Sequence, residues 1–117
     1  MTFALTTDVL GASTVSGESA VLGVLVKVEW VVGDFDAGVG AVLSQIKTAS
    51  GIDETILTLA AANSDACYYP LVAAGTATWN STAGSDYPIL NGTPKVVVSA
   101  GGATNTGKLI LYWIDID

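Results

Sequence analysis

The chemistry open to this 117-residue chain comes from eleven carboxylates, four lysines and one cysteine; it contains no histidine. Without an imidazole there is no Ser-His or Cys-His pair to generate a nucleophile. Cys67, in Asp65-Ala66-Cys67-Tyr68-Tyr69, has no second cysteine for a disulfide or a zinc site and no histidine to activate it. It reads as a small buried hydrophobe. Asp34 and Asp36 alternate, as do Asp115 and Asp117. Spaced carboxylates can hold Ca²⁺. However, Asp34-Phe35-Asp36-Ala37-Gly38 lacks the further oxygen ligands and distal glutamate of an EF-hand loop, and a solvated turn is the simpler reading. Asp53-Glu54 reads as a loop cap. The run from Gly101 to Gly107 is glycine-rich but has neither the lysine nor the helix start of a phosphate loop. Asn80-Ser81-Thr82 and Asn91-Gly92-Thr93 match the glycosylation acceptor pattern, with chance the simpler explanation. Exposed aromatics such as Tyr68, Tyr69, Trp79 and Tyr87 could stack on sugar rings, but packing in a core or at a subunit interface is the stronger reading. No catalytic residue, cofactor or metal site is expected, and the chain is expected not to be an enzyme.

The elements that would position these groups are strands. Val21–Val32 alternates, with Val24, Val26, Val28 and Trp30 on one face and Lys27 and Glu29 on the other. Val39–Lys47 reads as a strand, with a short helix as the competing assignment because Ala41, Val42, Gln45 and Ile46 also fit a helical stripe. Thr55–Ala60 is a strand, and so is Cys67–Ala74, where Pro70 implies an edge or a bulge. Tyr87–Leu90 is a short strand. Gly92-Thr93-Pro94 then turns the chain into a β-hairpin, Lys95–Ala100 and Lys108–Ile114 around a glycine-rich tip. Both faces of Lys108–Ile114 are apolar, as for a strand buried between two layers. Residues 1–20 are rich in Thr, Ser, Ala and Gly and read as an arm and loop; Phe3 and Leu5 alternate with Ala4 and Thr6, so a short edge strand or an arm is expected there, and Ser13–Ser19 reads as a flexible loop. Residues 21–117 read as one domain. Seven to eight strands at this spacing predict an all-β fold, a β-sandwich or jelly-roll-like body.

Half of the residues are hydrophobic and 13% are charged, where about a quarter is usual. So much apolar surface in so short a chain suggests that some of it faces another subunit. The net charge is −7, and Lys27, Lys47, Lys95 and Lys108 are scattered, so no nucleic-acid surface is expected. The first residues lack the basic start and apolar core of a secretory signal, and no apolar run reaches the ~18 residues of a membrane span. Synthesis and use in a cytoplasm, or in a particle assembled there, is the expectation.

Five segments together carry a resemblance: Val24-Leu25-Val26-Lys27-Val28-Glu29-Trp30, Thr55-Ile56-Leu57-Thr58-Leu59-Ala60 ahead of Tyr68-Tyr69-Pro70, Ile89-Leu90-Asn91-Gly92, Lys95–Gly102 and Gly107–Trp113. Over roughly residues 20–116 the pattern resembles the small structural proteins of tailed double-stranded-DNA bacteriophages, most of all capsid decoration (cement) proteins. The resemblance implies a β-sandwich, often trimeric, on the outside of a capsid, made in the bacterial cytoplasm, with the major capsid protein and its own copies as partners. Under it, Phe3, Leu5, Val9 and Leu10 of an N-terminal arm would touch the capsid, and Tyr68, Tyr69, Trp79 and Tyr87 would lie between subunits. A tail, connector or baseplate component of the same virion and a carbohydrate-binding β-sandwich are the alternatives.

Overall fold

Side chains branched at Cβ favour extended backbone, and among the described residues every regular element of this computed structural model is a strand. The structure describes residues 1–73 and 85–116. In chain order the strands are β1 (Thr2–Thr6), β2 (Ser13–Ser16), β3 (Val21–Val31), β4 (Gly40–Lys47), β5 (Asp53–Leu59), β6 (Ala66–Tyr68), β7 (Val72–Ala73), β8 (Ser85–Asp86), β9 (Ile89–Ser99) and β10 (Thr106–Asp115). β7 pairs with β8. The other eight form one antiparallel sheet in the order β1-β10-β3-β9-β4-β5, with β2 beside β9 and β6 beside β3.

Two long strands bend this sheet into a sandwich. One edge of β3 pairs with β10. Its other edge pairs first with β9, Val21–Val24 against Ile89–Gly92, and then with β6. β9 leaves β3 at Gly92 and continues between β2 and β4. Two four-stranded layers result, β1-β10-β3-β6 and β2-β9-β4-β5, joined where β3 and β9 share hydrogen bonds. Between them lie Phe3, Leu5, Leu25, Val28, Trp30, Leu109 and Leu111 from the first layer, and Ala41, Leu43, Val96 and Val98 from the second, all buried. Each large side chain contributes roughly 1.5–3 kcal/mol by leaving water. Trp30 stacks on Phe35 with ring centroids 5.7 Å apart, and its indole N–H donates to the Ala62 carbonyl at 2.8 Å. The all-β, sandwich-like single domain expected from the strand pattern is the fold observed.

Several local expectations are corrected. Alternation along β3 breaks at a bulge: Leu25 pairs with Trp113 and Lys27 with Tyr112, leaving Val26 without an opposite residue. The core row is therefore Val21, Leu25, Val28 and Trp30, while Val24 and Val26 leave it. Val39–Lys47 is a strand over Gly40–Lys47, with Leu43 and Gln45 inward. The expected strand at Cys67–Ala74 is two short ones, β6 and β7, broken around Pro70; its last residue lies outside the described residues. Gly92-Thr93-Pro94 is not a turn. β9 runs straight through it, and Gly92 has no room for a Cβ because the Ile46 backbone lies against it.

The predicted hairpin does not form either. β9 and β10 are adjacent in the chain but lie on opposite sides of β3 in the sheet order. Their connection turns with positive φ at Ala100, Gly102 and Thr104. It is held by other loops: Gly101 N–H donates to Gly11, Thr104 N–H to Asp8, and Asn105 N–H to the Thr7 hydroxyl at 2.9 Å. The Asp34 carboxylate accepts from Thr106 N–H at 2.6 Å, so the turn read as solvated also secures this crossing.

Of the two readings of the first residues, a short edge strand and an arm, the edge strand is the one found. β1 pairs with β10 through all five of its residues, and Phe3 and Leu5 are 2% and 1% exposed. β2 occupies part of the stretch expected to be a flexible loop.

One buried polar side chain holds the place where β9 changes partners. Gln45 is fully buried; its amide nitrogen donates to the Ile89 carbonyl and to Glu54 Oε1, both at 2.9 Å. Its oxygen accepts from Asn91 N–H at 2.9 Å. Every hydrogen-bonding position of the amide that the core would otherwise strand is used.

Candidate functional site

Paired residues in antiparallel strands point to the same face, so the register shows what β3, β9 and β10 present outward. Ile114, Val24 and Ile89 stand side by side on three adjacent strands. The next row toward the end of the sheet holds Leu22 opposite Asn91, with Ile116 N–H donating to the Leu22 carbonyl. The row on the other side holds Tyr112 opposite Lys27, and beyond it Ile110 opposite Glu29. Tyr87 lies two residues before Ile89, and Leu71 immediately precedes β7, the partner of β8. Leu22, Tyr69, Leu71, Tyr87, Ile89, Tyr112, Ile114 and Ile116 are each 40–63% exposed. They are eight of the eleven large apolar side chains left exposed among the described residues. Among the described residues, nothing covers this apolar outer face of β10-β3-β9.

This corrects the reading of the last strand. Leu109 and Leu111 enter the core, but Ile110, Tyr112 and Ile114 face out, so β10 is apolar on both sides without being buried on both.

The polar groups on this face satisfy one another. Lys27 Nζ is 3.3 Å from Glu29 Oε1 and 4.4 Å from the centre of the Tyr112 ring. Bonding to the Glu29 carboxylate holds the Lys27 ammonium above its ordinary pKa. The Tyr112 hydroxyl, and then Lys27, hold Glu29 below its own. The same carboxylate raises Tyr112, because a phenolate there would face a negative charge. Cys67, opposite Glu29, is exposed, which corrects the expectation that it is buried: β6 is an edge strand and turns this residue outward. Beside the face an open groove of about 310 Å³ is lined by Pro88, Ile89, Asn91, Ile56, Thr55 and the Lys47–Glu54 ion pair.

The residues singled out from the sequence separate into distinct places. Phe3 and Leu5 are in the core and cannot touch a partner while the domain is folded. Val9 and Leu10 are 78% and 85% exposed, in the loop that meets the β9–β10 crossing, at the far end of β3 from the apolar face. Tyr69 and Tyr87 belong to the exposed set, whereas Tyr68 is half-buried against the core. Trp79 lies outside the described residues, as do Asn80-Ser81-Thr82, the stretch Gly75–Thr78 and Asp117. Leu22, Ile89, Ile114 and Ile116 were not among the sequence candidates. The signal for them was the second apolar side of β10. Among the described residues no group of three or more carboxylate or thiol side chains is placed to hold a metal ion.

No family model matches the chain, and neither a curated protein nor a solved structure matches it. Fold and site together define a β-sandwich-like domain with an apolar sheet face that the described residues leave uncovered.

Proposed function

We propose that this chain is a non-enzymatic virion structural protein, a decoration (cement) protein that assembles as a homo-oligomer on the outer surface of a tailed-bacteriophage capsid. The apolar outer face of β10-β3-β9 is the observation that carries the assembly part of this reading. Its area is on the order of 800 Å², taking large side chains at roughly 150–250 Å² each, against about 300–600 Å² for the largest patch on a typical monomer. The capsid part is supported by the sequence resemblance and by a net charge of −7, which gives packaged DNA no attraction. Val9 and Leu10, exposed at the opposite end, remain the capsid-contact candidates of the original four. Copies repeated across a shell bind with avidity, so each contact needs little energy.

The test is to mix purified protein with expanded capsids that lack it and image them by electron microscopy. Density at symmetric positions over the whole shell is expected. Density confined to the tail vertex, or none, overturns the decoration role.

A further inference from the structure

We infer that the outer face of β10-β3-β9 is covered by the same face of a second copy of this chain, in a two-fold dimer. The inference rests on the assembly reading above but not on the capsid. Three observations point to this occupant.

The first is area. The exposed apolar side chains supply roughly 800 Å², which is one partner's share of a standard specific interface. The second is charge. On this face the register places Lys27 and Glu29, which neutralise each other, and at its margin Lys108, two residues before Ile110 on the outward side of β10. The remaining ten carboxylates and two lysines carry a net charge of −8, against +1 for this face. Two copies meeting through the rest of the surface, which is net negative, bring like charge together. The third is shape and composition. The face is a paired sheet of tyrosine and isoleucine, aromatic-rich and charge-poor like an interface core. Its Lys27–Glu29–Tyr112 cluster already satisfies its own charges, so it asks a partner for no counter-charge. The natural complement of an apolar sheet face is another one, stacked at about 10 Å, and this chain provides it. A face that stacks on itself is isologous and closes at two copies. The inferred assembly is therefore a dimer, where the resemblance implies a trimer.

Sedimentation velocity of the full chain over a wide concentration range tests this. A species of twice the 11.9 kDa chain mass is expected. Leu22→Glu and Ile114→Glu, at positions 52% and 63% exposed, should each raise the dimer dissociation constant at least 100-fold, while the circular-dichroism melt taken at a concentration where the wild type is also monomeric stays unchanged. Leu10→Glu, at the far end, should not move it. A wild-type chain that stays monomeric, or a dimer that both outer-face variants leave intact, overturns the inference. Capsid imaging is scored separately. A dimer that leaves capsids bare sinks the decoration reading alone. A monomer whose capsid binding is lost in the outer-face variants assigns the face to the capsid and sinks the dimer alone.

Discussion

Gln45 connects the core to the apolar face, because it bonds the backbone of the segment that carries Ile89 outward. Replacing it by leucine (Gln45→Leu) keeps the approximate volume but strands the Ile89 carbonyl and the Asn91 N–H, both of which it bonds at 2.9 Å. A buried group left without a partner costs about 1–3 kcal/mol. Some of that is offset by the leucine's own burial, so the net loss should be about 2–4 kcal/mol. A domain of this size has about 5–15 kcal/mol in total. In urea the midpoint should fall by roughly 1–2 M with an unchanged slope, and the Ile89–Asn91 amides should lose hydrogen-exchange protection.

Gln45→Glu separates the donor from the acceptor. It keeps an oxygen for Asn91 N–H but sets the other against the Ile89 carbonyl and the Glu54 carboxylate. The buried carboxyl is then held protonated, with its folded pKa above the unfolded value. Its contribution is fully present below the unfolded pKa and is lost as pH rises through the folded one. The deficit against wild type should be smallest near pH 4 and largest at pH 7. A Gln45→Leu variant within about 0.5 kcal/mol of wild type would refute the account, since that is the range of an unconstrained surface position.

Three further outcomes follow from the same geometry. Gly92→Ala puts a methyl against the Ile46 backbone where β9 changes partners and should cost at least about 1–3 kcal/mol, read by thermal or urea unfolding. Asp8, Glu29 and Asp53 are held below their ordinary pKa, Asp8 by the Ala12 and Leu10 N–H groups, Glu29 by Tyr112 and Lys27, and Asp53 by Lys95 and Ser44. Depressed carboxylates stabilise the fold above their unfolded pKa and lose that as pH falls through the folded value. The melting temperature should accordingly stay flat from about pH 5 to about pH 9, below the range where Lys27 titrates, and drop below about pH 4, less steeply in Asp53→Asn. Val9→Asp and Leu10→Asp should leave the melt within experimental scatter and reduce capsid occupancy; unchanged occupancy removes this loop from the proposed contact.

The all-β class and most strand positions were legible in the sequence because alternation and Cβ branching act within a few residues. Thr2–Thr6 already alternated, and the sides of Gly40–Lys47 that hold Leu43 and Gln45 could be told from the order of residues alone. Absent histidine and scattered lysines likewise shaped the expectation of no triad chemistry and no nucleic-acid surface before any fold was known.

Pairing partners, by contrast, came only with the tertiary structure. Lys95–Ala100 and Lys108–Ile114 look like the two arms of a hairpin, yet β3 lies between them. Whether two neighbouring strands pair depends on contacts with residues some 80 positions away, such as Val31 opposite Lys108. The bulge at Val26 is of the same kind: one extra residue, invisible in the local pattern, moved Leu25 inward and turned Val24 out beside Ile114 and Ile89. So the apolar residues of the candidate face could be counted from the sequence, but only the register between distant strands decided that they share one surface. Side-chain period is local, and strand order and register are set by the closure of the whole sheet.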